Sequence, residues 1–189
     1  LKKNKIYQTL KDKENPDEIE RDGPFLCRWE NSWLGDGYYF WDYFIENAHW
    51  WDRSHCANTY IICEAIVDLN DTNCFDLVGN TRHLMDFGDS VDFMKSKGLI
   101  TRKTTVSRVL EFMKENNLFL EYKVVRAYGI NSKSKDYQPN YRIIFEPNKP
   151  FQYLPYKPEI QICLLKFDKI NFRDYKIVYP DEYIDGYLV

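Results

Sequence analysis

The chain has 189 residues and a mass of 22.8 kDa, enough for one domain or for one domain carrying an insertion. With 44% hydrophobic and 17% aromatic residues it buries a sizeable core, which excludes disorder and low-complexity assembly. Twenty-six basic against 29 acidic residues leave a net charge of −3. That balance excludes the broad basic footprint of a histone-like nucleic-acid binder, though not a local basic patch. No apolar run approaches the roughly 20 residues of a membrane span, and the basic start Leu1-Lys2-Lys3-Asn4-Lys5 has no apolar stretch behind it. A soluble, cytoplasmic protein with no signal peptide and no membrane partner is expected.

In chain order, Ile6-Tyr7-Gln8-Thr9 reads as a short strand. Asn15-Pro16-Asp17 opens a helix of one or two turns through Arg21, with Asn15 as its cap and Pro16 at its first position. Gly23-Pro24 ends it, and Phe25 to Trp33 shows no apolar period, which predicts a loop or short strand. Gly35-Asp36-Gly37 turns the chain into the aromatic run Tyr38-Tyr39-Phe40-Trp41, after which Asp42 is expected to cap a helix from about Tyr43 to Arg53. Tyr60 to Leu69, rich in Ile and Val, predicts a buried strand.

Arg82 to Lys97 carries Leu84, Phe87, Val91 and Met94 at helical spacing. A second helix capped by Thr104 or Thr105 has Val106, Val109, Leu110 and Met113 on one side and stops at Asn116-Asn117. Strands are predicted at Glu121–Ala127, Asn140–Glu146, Glu159–Phe167 and near Tyr175–Tyr179, with a polar connection from Asn131 to Pro139 and a proline-bounded loop from Pro147 to Pro158. Without repeats or a Gly/Ser linker the chain reads as a single domain. Strands, then helices, then strands mean α+β rather than alternating βαβ units.

Cys27, Cys56, Cys63, Cys74 and Cys163 are an odd number with no CxxC pair. Cys63 and Cys163 lie in apolar, strand-like runs, as small buried hydrophobes do, and a reducing compartment fits better than a disulfide framework. His49, His55 and Cys56 form the one near-cluster of metal ligands, and isolated His and Cys on a helix flank are more often packing or surface residues, so no metal is expected. The basic stretch Lys95, Lys97, Arg102, Lys103 and Arg108 has no interleaved aromatics and reads as a solvated helix face.

Gly35-Asp36-Gly37-Tyr38-Tyr39-Phe40-Trp41-Asp42, followed by Ala48 and Trp50, is the most informative segment. Glycines let backbone approach a ligand closely, and a strand tyrosine with a helix tryptophan suits a flat heteroaromatic ring between them. By composition alone the same rings are core. The pattern Gly-x-Gly-x-Tyr-Phe-x-Asp, then Ala six and an aromatic eight residues beyond the Asp, resembles the nicotinamide-pocket motif of the ADP-ribosyltransferase superfamily, closest to the diphtheria-type toxins and poly(ADP-ribose) polymerases. Gly35, Gly37, Tyr39, Phe40, Asp42 and Ala48 match directly. Trp50 takes the place of the second stacking tyrosine and Asn47 that of the serine bonding the carboxamide, while Tyr38 and Gly37 flank the pocket. In the family's first-strand motif Gln8 stands for the histidine and Thr9 for the glycine. The family's late glutamate falls on Glu159 counted from the strand's start and on Gln161 counted back from Ile170. These two face the same side of a strand.

The resemblance covers residues 1 to about 70 and about 120 to 180. It implies an α+β fold with a split β-sheet core, residues 80–118 forming a helical insertion. It also implies NAD⁺ as substrate, with ADP-ribose passed to a macromolecular acceptor, protein or nucleic acid. Tyr39 and Trp50 would stack the nicotinamide, Thr9 and Asn47 bond its carboxamide, and Gln8 support the ribose. Glu159 would stabilise the oxocarbenium-like sugar, a charge contribution that a neutral Gln161 in that position would largely lack. By analogy the family role is that of a toxin, effector or defence protein, acting in the cytoplasm or delivered into a target cell, with an inhibitory or antitoxin partner. The same residues leave open an NAD glycohydrolase and a catalytically inactive nucleotide- or partner-binding module.

Overall fold

A computed structural model describes residues 2–28, 32–55, 59–119, 121–128 and 141–184, apart from the side chains of residues 2 and 52–55. The dominant element is the ladder between β1 (Lys2–Lys11) and β3 (Tyr60–Leu69), antiparallel and in register from Lys2↔Leu69 to Lys11↔Tyr60. The Ile- and Val-rich β3 is buried along nearly all its length, so it lies inside the sheet rather than at an edge. Around this pair assemble β2 (Tyr38–Asp42), β4 (Cys74–Asp76), β5 (Val124–Ala127), β8 (Gln161–Leu164) and β9 (Arg173–Tyr179). The seven strands run in the order β4-β5-β8-β2-β1-β3-β9, and β6 (Arg142–Ile144) with β7 (Tyr153–Pro155) forms a separate hairpin. The fold is mixed α+β, as the sequence predicts.

Chain connectivity forces the sheet to curl. Five strand spacings separate β3 from β4, about 24 Å in a flat sheet. The link between them is the four residues Asn70–Asn73, able to reach at most about 18 Å. That link is itself folded back, with Cys74 N–H donating to the Asn70 carbonyl at 3.0 Å. Leu69 and Cys74 therefore share one core on the concave face with Ile6, Phe40, Val124, Ile162 and Leu164.

Four helices complete the fold: α1 (Pro16–Asp22), α2 (Ile45–His55), α3 (Thr81–Ser96) and α4 (Val106–Glu115). Asn80 caps α3 by accepting from Arg82 and His83 N–H, and Thr105 caps α4 by accepting from Arg108 N–H. The α4 face bearing Val109, Leu110, Phe112 and Met113 packs with Met94 of α3 on the convex side, against Phe75, Val125 and Cys163. Residues 80–118 thus form the expected helical pair. Asn15 does not cap α1, because its amide donates to Glu18 at 2.7 Å instead. No helix among the described residues is long and apolar enough to cross a membrane.

Candidate functional site

The sheet opens between β1 and β2. Their ladder holds only Ile6↔Asp42 and Tyr7↔Trp41, although β1 runs on to Lys11 and β2 begins at Tyr38. Tyr43 N–H donates to the Lys5 carbonyl at 2.9 Å, so the odd-numbered residues of β1 present their peptide groups to β2. Continuing that register would set Thr9 against Tyr39, but no such rung forms. The Thr9 N–H and C=O point into the opening without a ladder partner. Its hydroxyl donates to the Ala48 carbonyl at 3.1 Å and ties β1 to α2.

The first turn of α2 grips the segment that leads into β8. Asn47, 1% exposed, donates from Nδ2 to the Pro158 carbonyl at 3.0 Å. The neighbouring Glu46 pairs with Lys157; burial raises the Glu46 pKa, but the Lys157 ammonium more than offsets this and holds it below the usual carboxylate value. Ile160 accepts from Asp42 N–H at 3.0 Å. Held between these contacts is Glu159, 2% exposed, whose carboxylate makes no hydrogen bond or ion pair among the described residues. Its field, after burial, helps to push the Tyr128 phenol pKa up. Two residues on, Gln161 lies beside Trp41 across the β2–β8 ladder, and its buried Oε1 has no hydrogen-bond partner. A buried amide oxygen left without a partner is unusual.

The aromatic residues lie on the same convex face but in adjoining clusters. Tyr39 packs with the α3–α4 core, and its hydroxyl donates to the Gly35 carbonyl at 2.7 Å while accepting from Leu34 N–H at 2.9 Å. Burial, then the nearby Cys163, raises its pKa and keeps it a neutral phenol. Trp50 packs with Tyr7, Tyr60 and Ile62, and its ring meets Trp41 edge-on at 5.8 Å and Trp51 at 6.1 Å. Tyr39 and Trp50 thus fall in different packing clusters. Trp41 lies next to Trp50 instead.

Three expected site residues stand apart. Gln8, on the concave side, donates from Nε2 to the Phe25 carbonyl at 3.0 Å; its Oε1 accepts from Phe25 N–H at 3.1 Å and from Tyr175 Oη at 3.0 Å. This closed pairing fastens the 23–27 segment to β1. Tyr38 alternates to the concave face and packs against Phe167 at 4.7 Å. Gly37 is required by packing. It pairs with Cys27 across an isolated bridge, and a Cβ there would collide with the Cys163 thiol and the Leu164 carbonyl.

Asp42 is not a helix cap. β2 ends on it, and α2 begins only at Ile45 because Tyr43 adopts φ 57. Its carboxylate accepts from Asn4 Nδ2 at 3.1 Å and from Arg126 Nε at 2.8 Å, while Arg126 also bonds Asp76. Burial opposes the Arg126 charge, but Asp42 and Asp76 outweigh it and raise its pKa. Nothing local marks this network, since its members come from β1, β2, β4 and β5. Of the three residues considered for a metal, His49 Nδ1 lies 2.9 Å from Tyr60 Oη, whereas Cys56 and the His55 side chain lie outside the described residues, as does the 131–139 connection. In the basic stretch, Lys95 pairs with Asp92 and Arg108 with Glu111, which is ordinary helix-surface pairing.

Compared with protein-family models, curated proteins and solved structures, the chain matches none.

Proposed function

We propose that the chain is an NAD-dependent ADP-ribosyltransferase acting on a macromolecular target, with Glu159 as the residue that stabilises the developing positive charge on the ribose. The observation that carries this reading is Glu159, 2% exposed and without a hydrogen bond or ion pair to the described residues, close to where the β1–β2 ladder stops. It lies directly beyond a segment held by Asn47 and Glu46. A carboxylate left without a protein partner in a recess is available to a ligand or a transition state. The unbonded Thr9 peptide group and Gln161 Oε1 are suited to a carboxamide and a ribose hydroxyl respectively. Between Glu159 and Gln161, only the first supplies charge. In this reading Asn47 is a positioning residue for Glu159, because its amide is already bonded to Pro158.

A catalytically inactive module that binds a nucleotide or a partner is favoured by a different observation: Trp41 packs directly against Trp50, and the Gln8 amide is engaged by Phe25. Incubation with NAD⁺ labelled in the adenylate separates the readings. Label transferred to a macromolecule supports the transferase, release of free ADP-ribose indicates a glycohydrolase, and binding without turnover supports the module. Turnover that survives Glu159→Gln refutes the role of Glu159.

A further inference from the structure

The concave face carries a pocket of about 300 Å³ at the open end of the curled sheet, on the other side from Tyr39 and Trp50. Asn4, Asn70, Asp71, Asp76 and Arg126 supply its polar lining, and Leu69 with Cys74 its apolar wall. Asn4 is 3% exposed. Its Nδ2 is bonded to Asp42, but its buried Oδ1 has no partner, and a buried acceptor left unbonded calls for a donor. Arg126 uses Nε on Asp42 and Nη1 on Asp76, so its own charge is already neutralised.

The lining holds two carboxylates, Asp71 and Asp76, against the one Arg126 guanidinium, and Asp42 lies behind it, bonded to both Asn4 and Arg126. The Cys74 thiol feels this balance. Burial raises its pKa first and Asp76 adds to that, with Asp42 and Asp71 acting in the same direction and Arg126 opposing. Surplus negative charge disfavours an anion, and the unbonded acceptor needs an N–H or O–H. Among the described residues no three His, Cys, Asp or Glu side chains group to hold a metal ion. What remains is a cation that brings its own N–H donors on an apolar stem.

We propose that this pocket binds a small alkylguanidinium or alkylammonium group, with its N–H donors on Asn4 Oδ1 and Asp71 and its methylenes against Leu69 and Cys74. The site is independent of the NAD⁺ reading, and its test needs no enzymatic activity. The full chain is titrated with ethylguanidinium and followed by amide NMR, with N-ethylurea as a neutral control of similar shape. Ethylguanidinium is expected to shift the resonances of Asn4, Asn70 and Cys74 with a Kd of about 1 mM, while N-ethylurea leaves them unmoved. Asp71→Asn, at an exposed side chain, is expected to weaken binding about threefold, and Asn4→Ala about tenfold.

N-acetyl-arginine amide distinguishes the source of the cation. Binding as tight as ethylguanidinium points to a peptide side chain, much weaker binding to a free small amine, and both support the pocket's chemistry. No shift at about 10 mM probe, equal binding of N-ethylurea, or an unchanged Kd in Asp71→Asn overturns it.

Discussion

Glu159→Gln removes a charge from a side chain that is 2% exposed and keeps its shape. In most proteins such a change costs stability, because a buried carboxylate has a partner that is left unpaired. Here no hydrogen bond or ion pair joins the carboxylate to the described residues, so the exchange leaves no partner unpaired among them. An exchange that leaves no partner unpaired is expected to change stability by no more than about 0.5 kcal/mol. For a domain of this size each kcal/mol moves the melting temperature by about 2–4 °C. The variant is therefore expected to melt within about 2 °C of the wild type, with an unchanged m-value in urea. In the same variant NAD⁺ turnover is expected to fall about 10²- to 10³-fold. Unchanged stability with loss of turnover is the signature of a group kept for chemistry rather than for folding. A Glu159→Gln protein destabilised by about 3 kcal/mol or more refutes the reasoning, since it means the carboxylate is paired.

Gly37→Ala is expected to destabilise the fold by about 1–3 kcal/mol without touching the β1–β2 opening, because the new methyl meets Cys163 and the Leu164 carbonyl; urea unfolding measures it, and a neutral result removes the packing explanation. Asp42→Asn weakens the buried pairing with Arg126 and is expected to cost about 2–3 kcal/mol, since Arg126 keeps Asp76; a double-mutant cycle with Arg126→Met that shows no coupling contradicts the network. Stability is expected to fall as pH rises from about 9 to about 12, because burial pushes the Cys63 and Cys163 thiols up to about 12. The folded thiols stay protonated while the unfolded ones ionise, so their contribution is whole below about 9 and is lost on the way to 12, at most about 1.4 kcal/mol per unit for each. Urea midpoints taken stepwise through that range check it, and Cys163→Ala flattens the slope.

Elements that rest on local pattern were legible before any tertiary structure. The apolar run Tyr60–Leu69 is β3, the periodic segments are α3 and α4, and Thr105 caps α4 as its position suggests. Two three-residue strands, β4 and β7, were not legible, because so few residues carry no period and exist through their pairing with β5 and β6. The members of the motif around Tyr39, and the residues grouped with it, divide between the two faces of the sheet. Thr9, Asn47 and Glu159 gather near the opening, while Gln8 and Tyr38 turn to the concave side. Strand alternation alone separates Gln8 from Thr9 and Tyr38 from Tyr39.

By itself, the amino-acid order determined the α+β class and the helical pair and supplied candidate site residues, since propensity, capping and apolar spacing act between neighbours a few positions apart. Tertiary structure decided what those residues do. Which peptide groups stay unpaired depends on where β1 and β2 part. Whether Asp42 caps a helix or holds Arg126, and that a pocket exists at Asn4, depend on the curl that carries β4 back toward β3. Such outcomes arise from contacts across dozens of residues, where burial and hydrogen-bond satisfaction outweigh any local preference.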